Sequence, residues 1–427
     1  MLRRTFMPGV ADILLGETVT SGLRRYHGLK DSLRGRSRRL LFFHKVDCPW
    51  SCLLSMVLDD LVREWDLRPE IRVVGGSPDR YVSRPGLLAR YALHDSRSLA
   101  REWGLHFPAT QIPGKKDVLR AQHLLLKTSD GSERLSMARF LSMSLFSGET
   151  LPDIRPDPGL VRPVLARHMQ ELLDLGHYQG GMLYYEGEWF WGLDRLDHLS
   201  RGLQLDAGRS SEEAVPVQPV PVGPVRDGRP LDFYFSFRSP YSWLALERML
   251  PEWPDQGVRI QYKPVMPMVM RGVPVPSIKR YYILRDAHRE ARRYGIPFGR
   301  IADPHGQGAL NCLVLFLLAR EKDVLPAFLT SVCRGIWAEG RDVSWSPHLR
   351  RLVERAGLDW DEARQALDSA AAMREGKELA ETNLRELTAM GMWGVPCFGR
   401  PGEEPIWGQD RLDRVVGRRT VIYGQIS

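Results

Sequence analysis

The sequence predicts an α/β protein made of two tandem domains that share one architecture. Three observations support this prediction: a length of 427 residues, a repeated set of motifs, and a proline-rich segment between the repeats. One hydrophobic core rarely serves more than about 250–300 residues, so a chain of this length is expected to divide. A composition of 43% hydrophobic and 26% charged residues is typical of a globular protein.

Self-similarity at a fixed spacing indicates the two domains. At an offset of 191 residues, LFFHKVDCPWSC (41–52) aligns with DFYFSFRSPYSW (232–243), and Cys48 falls on Ser239. The same offset aligns the segment that begins at Tyr91 with YILRDAHREARRYGIPF in the second half. This number of matches in one order predicts a tandem duplication.

Near the end of each copy the offset becomes 216, where EWFWGLDRLDHL (188–199) aligns with EPIWGQDRLDRV (404–415). The second copy therefore has 25 additional residues, the size of a helical hairpin. The segment 358–372 has the apolar spacing of a helix and is expected to supply part of this hairpin.

The segment between the copies favours an extended, semi-rigid spacer because of its regular prolines. We therefore predict four parts of the chain: an N-terminal extension (1–36), a degenerate first domain (37–208), a proline-rich linker (209–229) and a second domain (230–427).

Each copy begins with an apolar, aromatic strand, a turn and a helix that starts with proline. A long helical region follows, and a pair of short strands and a terminal helix complete the copy. This order predicts a thioredoxin-like fold with a helical insertion in each domain.

Charge and cysteine content suggest the location and exclude some partners. The net charge is +8, and we interpret the densest basic cluster, Arg34 to Arg39, as a solvated surface rather than a nucleic-acid site. The longest apolar stretch, Leu310 to Ala319, is too short to cross a bilayer. Five cysteines without a zinc-like pattern, and no secretion signal, predict a cytoplasmic protein without a metal site.

Ser239 and Pro240 lie where the first strand of the second copy becomes a helix. Serine is a favoured N-cap, and proline is favoured at the first helical position. The N–H groups of a helix N-terminus attract anions, and a serine hydroxyl there can donate a hydrogen bond to a thiolate. Taken alone, the pair is typical of a simple helix cap.

Three motifs of the second copy together resemble the kappa-class glutathione S-transferases and 2-hydroxychromene-2-carboxylate isomerases, which belong to the DsbA-like thioredoxin-fold proteins. The motifs are SPYSWL from Ser239, WGVPCF from Trp393 and WGQDRL from Trp407. They occur in the order found in those enzymes, and the resemblance covers residues 231–417.

The resemblance implies roles for individual residues. Ser239 would contact the sulfur of glutathione, and Pro396 would follow a cis peptide bond. The backbone of Val395 would bind the glutathione peptide. Asp410, with Arg411 beside it, would hold the γ-glutamyl end, although this pair is also typical of a helix cap with a local ion pair.

Cys397 departs from the threonine or serine that these enzymes carry after the cis-proline. Two interpretations stay open for it. The thiol is either buried and unreactive, or it faces Ser239 and forms a mixed disulfide with a substrate.

The first copy is more degenerate than the second. Cys48 lies at its helix start, where a lowered thiol pKa is expected and where DsbA-like oxidoreductases carry their attacking cysteine. The usual partner position holds Ser51, and Cys52 lies one residue further, so an easy redox disulfide is not expected. The 216 offset places Gly180 at the cis-proline position, which predicts loss of the substrate-binding turn. A metal site at His44 and the two cysteines is not expected.

These observations lead to one functional prediction and two alternatives. The prediction is a glutathione-dependent isomerase or transferase that acts on a small electrophile through a thiolate held by Ser239, with no metal and no nucleic-acid or membrane partner. The alternatives are a thiol-disulfide oxidoreductase that uses Cys48 or Cys397, and a non-catalytic binding scaffold. We expect the two domains to pack as a pseudo-dimer.

Overall fold

The computed structural model of the protein describes most of the chain. The described residues are 9, 12–13, 15–35, 38–206, 219–220, 229–250, 258–400, 402–415 and 419–420. Most of the linker predicted at 209–229 therefore lies outside the described residues.

The chain divides into two compact units, named here by their position in the sequence. The N-terminal unit comprises Ser21–Pro221, Pro276–Tyr282 and Arg419–Ser427. The C-terminal unit comprises Met1–Thr20, Val222–Val275 and Ile283–Arg418. The predicted domain boundaries differ from this division chiefly in the first 20 residues, in residues 276–282 and in residues 419–427.

The N-terminal unit contains a four-stranded mixed sheet and the helices that connect its strands. Its elements, in chain order, are α1 (Glu17–Leu33, of which the first turn belongs to the other unit), β1 (Arg39–His44), α2 (Pro49–Glu64), β2 (Arg68–Val73), α3 (Pro85–Glu102), α4 (Lys115–Lys127), α5 (Ser132–Ser147), α6 (Pro158–Asp174), β3 (Met182–Tyr185), β4 (Glu188–Trp191) and α7 (Leu196–Asp206). A separate two-residue ladder pairs β5 (Pro219–Val220) with β10 (Arg419–Thr420).

The sheet of the N-terminal unit has the order β2-β1-β3-β4. Strand β1 runs parallel to β2 and antiparallel to β3, and β3 runs antiparallel to β4. Strand β1 is an interior strand of this sheet. Its apolar residues suit that position, and Phe42 and Phe43 are both buried.

The C-terminal unit repeats this arrangement. Its elements are β6 (Leu231–Phe235), α8 (Pro240–Met249), β7 (Ile260–Pro264), α9 (Ser277–Arg293, of which the residues up to Tyr282 belong to the other unit), α10 (Gln307–Glu321), α11 (Leu325–Trp337), α12 (Ser346–Arg355), α13 (Trp360–Asp368), α14 (Ala370–Ala389), β8 (Cys397–Gly399), β9 (Ile406–Trp407) and α15 (Leu412–Val415). The sheet order is β7-β6-β8-β9, with β6 parallel to β7 and antiparallel to β8. Both units thus have the same strand order, which is that of an α/β thioredoxin-like fold.

A large cluster of buried residues in the C-terminal unit packs against its sheet. Phe233 and Phe235 of β6 belong to this core, and Phe233 stacks on Phe398 of β8 with ring centroids 5.1 Å apart. Phe316 of α10 and Phe328 of α11 join the same buried cluster. Alternate residues of β6 thus anchor the strand whose end carries the candidate site.

Additional helices distinguish the two units, as the change of offset predicts. Six helices lie between β7 and β8, compared with four between β2 and β3, and both segments are fully described. Helix α13 falls inside the predicted segment 358–372, and the Asp359 side chain caps it by accepting from Glu362 N–H at 2.9 Å. No described helix combines the length and apolar character that crossing a bilayer would require.

Matching side-chain contacts accompany the shared topology. Trp50 Nε1 donates to Asp95 Oδ2 at 2.8 Å, and the hydroxyl of Tyr241 donates to Asp286 Oδ2 at 2.8 Å. Both pairs are related by the offset of 191 residues. The tandem duplication stays a prediction, which this shared topology supports.

Candidate active site

The turn between β6 and α8 places Ser239 at the N-terminus of α8. The Ser239 N–H donates to Ser236 O at 2.9 Å, and the Ser239 hydroxyl oxygen accepts from Ser242 N–H at 3.2 Å. A hydroxyl oxygen has two lone pairs and one proton, so this cap leaves the proton for another acceptor. The half-buried Ser239 can therefore cap the helix and donate to an anion at the same time.

The strand register brings the segment before β8 to the end of β6. Cys397 pairs with Tyr234, so Pro396 lies opposite Phe235, where the chain leaves β6 for the turn to α8. The peptide bond between Val395 and Pro396 is cis, the conformation that the resemblance implies. Val395 is half-buried and Pro396 is buried.

Asp410 is the middle residue of a 3-10 turn that follows β9. The Gly408 N–H donates to Pro396 O at 3.0 Å and so connects this turn to the segment before β8. The half-buried Asp410 accepts at Oδ1 from the Gln409 side-chain Nε2 at 2.6 Å. The fold thus brings Asp410 and Pro396 to one region.

Arg411 is buried, at 6% exposure, and so is its counterpart Arg195 in the N-terminal unit, at 1%. The arginine is buried in the degenerate unit as well. This shared burial favours a packing role for both side chains. The structure therefore does not favour Arg411 as a direct ligand contact.

Cys397 is fully buried in β8. Its Sγ lies 3.9 Å from Phe398 O, and burial raises the pKa of the thiol far above its usual value. A thiol with a strongly raised pKa carries almost no thiolate at neutral pH. The structure favours the first of the two interpretations, a buried and unreactive thiol.

In the N-terminal unit the corresponding turn holds Cys48 at the start of α2. The Cys48 N–H donates to Lys45 O at 3.0 Å, and the Lys45 N–H donates to the Ser51 hydroxyl at 3.1 Å. Burial raises the pKa of the Cys48 thiol, although the Lys45 cation acts in the opposite direction. The expectation of a lowered pKa is therefore wrong, because desolvation of the thiolate outweighs the nearby charge.

Cys52 and His44 are buried beside this turn. All five cysteines have free thiols, and burial raises the pKa of Cys52 as well. His44 Nδ1 lies 2.9 Å from Ser51 Oγ and its Nε2 lies 3.0 Å from Ser142 Oγ, while burial lowers its pKa to about 3. Within the described part of the chain, no group of three or more His, Cys, Asp or Glu residues could hold a metal ion.

The position that corresponds to the cis-proline is Gly181 rather than the predicted Gly180. Gly192 N–H donates to Gly181 O at 3.1 Å, as Gly408 N–H donates to Pro396 O. The offset changes by one residue here because the connection between β8 and β9 is longer than that between β3 and β4. Gly181 has φ of +78°, which proline cannot adopt, so this unit lacks the proline-containing turn.

Comparison with known proteins places the second half of the chain in a family. Residues 230–418 match the family described as the DSBA-like thioredoxin domain. The 2-hydroxychromene-2-carboxylate isomerase of Sphingobium xenophagum is 31% identical over 194 residues, which are 43% of this chain and 94% of that protein. The chain belongs to the DsbA-like thioredoxin family.

Two further proteins resemble this DsbA-like chain. Glutathione S-transferase kappa 1 of Rattus norvegicus is 25% identical over 186 residues, which are 39% of this chain and 79% of that protein. A solved structure of 2-hydroxychromene-2-carboxylate isomerase has 27% identity and a TM-score of 0.38, and the match covers 44% of this chain and 92% of that one. Similarity to these two curated enzymes shows that the chain is an enzyme of the isomerase or transferase type.

The polar side chains behind Asp410 in this DsbA-like protein are not among the site residues predicted from its sequence. Gln409 is buried, and its Nε2 also donates to Glu290 Oε2 at 2.8 Å. Arg248 donates to Gln409 Oε1 at 2.8 Å and to its backbone oxygen at 2.7 Å. The sequence does contain a sign of them. At these positions the second copy has polar residues and the first copy has apolar residues, although the surrounding segments match.

Proposed function

We propose that the chain is a glutathione-dependent isomerase or transferase whose active site lies in the C-terminal unit. The observation that carries this proposal is the Ser239 hydroxyl, which caps α8 through a lone pair and keeps its proton to donate. The segment at Pro396 borders the same end of the sheet, and Asp410 is connected to it. Similarity to an enzyme named glutathione S-transferase supports the choice of thiol.

The donor groups at this end of the sheet fit a thiolate peptide. The N-terminus of α8 supplies backbone N–H groups and a positive partial charge. The Ser239 hydroxyl would donate to the sulfur and lower the pKa of the bound thiol, because a hydrogen bond to the charged form favours that form. The Asp410 carboxylate would accept from the α-amino group, and the Val395 backbone would bind the peptide.

When bound, glutathione would supply a nucleophilic thiolate that adds reversibly to an electrophilic carbon of a small substrate. The contribution of the protein is orientation and charge stabilisation. Ser239 would hold the sulfur at a fixed point, and Asp410 would fix the opposite end of the peptide.

Calorimetric titration with glutathione tests this proposal. We expect saturable binding by the wild type and affinity weaker by about tenfold or more in Asp410→Ala, which loses a charge-assisted hydrogen bond. Ser239→Ala should still bind, with the pKa of the bound thiol raised by about one unit, measured from the ultraviolet absorbance of the thiolate. Cys48→Ser, the matched position of the other unit, should behave like the wild type.

Absence of glutathione binding by the wild type would overturn the proposal. If no thiol of the chain were reactive either, the result would favour a non-catalytic binding scaffold.

A thiol-disulfide oxidoreductase is the second candidate function, and one observation favours it. Cys48 is the only one of the five cysteines that is not fully buried, and it lies at a helix start. Glutathione-dependent reduction of a small disulfide separates the two candidates. Loss of this activity in Cys48→Ser, with no change in Ser239→Ala, would support the oxidoreductase.

We propose a cytoplasmic location, which five free thiols support because reducing compartments preserve them. The packing of the two domains as a pseudo-dimer also stays a proposal, which the shared strand order supports only indirectly.

A further inference from the structure

The side-chain amide of Gln409 is held at both of its ends. Its Nε2 donates to Glu290 Oε2 at 2.8 Å and to Asp410 Oδ1 at 2.6 Å. Its Oε1 accepts from Arg248 Nη1 at 2.8 Å. An amide nitrogen has two protons to donate, and both are used here, so the position of the amide is fixed and with it one oxygen of Asp410.

Two members of this polar group, Gln409 and Glu290, are buried, and Arg248 is half-buried. Gln409 has no exposed surface and Glu290 is 1% exposed. Polar and charged side chains lose hydration when they are buried, and hydrogen bonds return only part of that free energy. Such a group is therefore expected where it has a task besides packing.

The N-terminal unit shows that the fold does not require these residues. At the offsets of 191 and 216, the counterparts of Arg248, Glu290 and Gln409 are apolar: Val57, Leu99 and Leu193. Leu99 and Leu193 are buried, at 2% and 4% exposure. All three contacting polar residues are thus apolar in the unit that lacks the proline-containing turn.

Asp410 itself has a counterpart in that unit, Asp194, so the aspartate alone does not distinguish the two sites. The difference lies in what holds it. Asp194 follows Leu193, which has no side-chain donor, whereas Asp410 follows Gln409.

We propose that Gln409, held by Glu290 and Arg248, is a positioning residue that orients the Asp410 carboxylate toward the α-amino group of glutathione. This inference rests on the proposed function. It adds to that function the residue through which the site recognises the α-amino group of the ligand. It assigns no chemical step to Gln409.

Two probes that differ only in the amino group test this inference: glutathione, and its analogue with a glutaryl group in place of γ-glutamyl. The variant is Gln409→Leu, the residue that the other unit carries, with Gln409→Met as a second variant of closer shape. We expect about tenfold weaker binding of glutathione and unchanged binding of the analogue, because only the amino group contacts Asp410. Asp410→Asn should abolish the same preference.

Asn311→Leu is the matched control, because it removes another buried amide of the same unit, one that donates to Val343 O at 3.0 Å. A merely structural role for Gln409 would lower the thermal stability in both variants and leave the preference for glutathione over the analogue intact. That result would overturn this inference alone. Failure of the wild type to bind either probe would overturn the proposed function, and the inference with it.

Discussion

Four of the five cysteines are buried, and Cys48 is partly exposed. The sequence places Cys48 at a helix start, where a lowered thiol pKa is expected, and Cys397 directly after a proline, where a reactive thiol is one of two open interpretations. Burial acts in the opposite direction and raises the pKa of both thiols. The sequence could not predict this result, because burial depends on how distant segments pack around the sulfur.

Alkylation of the native protein by iodoacetamide near neutral pH should distinguish these thiols. We expect Cys48 to be modified first, and more slowly than a free cysteine, because its pKa is raised. Cys397 should react only when the protein unfolds. Peptide mass spectrometry measures both rates, with Cys48→Ser as the control, and fast native modification of Cys397 would contradict the buried assignment.

Much of the candidate site is predictable from its local elements. The cap at Ser239 and the cis bond before Pro396 follow from motifs that act through their immediate neighbours. The shift from Gly180 to Gly181 was not predictable, since a one-residue difference between two strand connections leaves no mark in an alignment without gaps. The change in polarity between the two copies at Gln409 is visible in the sequence, but its contacts were not predictable, because they join segments that lie far apart in the sequence.

The capped helix α13 gives a prediction at the scale of one element. Asp359→Ala removes the side chain that accepts from Glu362 N–H, so we expect a loss of about 1 kcal/mol in the free energy of unfolding. Hydrogen exchange should increase mainly in α13. Asp361→Ala, which changes an exposed carboxylate in the same turn, is the control and should have a smaller effect; equal effects would argue against the cap.

At the scale of the whole molecule, the stability of the protein should depend on a histidine that titrates when the chain unfolds. Burial lowers the pKa of His44 to about 3, while an unfolded histidine has a pKa of about 6.5. The unfolded chain therefore binds a proton that the folded chain excludes. The free energy of unfolding is therefore unaffected by this group above about pH 6.5. It decreases progressively as the pH falls from 6.5 toward 3.

Denaturant unfolding of the full chain at pH 7.5 and pH 5 tests this dependence. Each pH unit below 6.5 should lower the free energy of unfolding by about 1.4 kcal/mol for this one group, or about 2 kcal/mol by pH 5. The His44→Gln variant should lack the part of this decrease that comes from His44. All other titrating groups are the same in the variant and the wild type. Parallel pH dependences in the two proteins would show that His44 is not responsible.

The apolar trio of the N-terminal unit has an evolutionary consequence. If both units descend from one ancestor with the polar trio, its loss is hard to reverse. The single reversions Leu99→Glu and Leu193→Gln would each bury one polar group without the partners that it needs. Intermediates that carry either change alone are then less stable than the present unit, so selection for stable folding opposes the return of this copy to its former state.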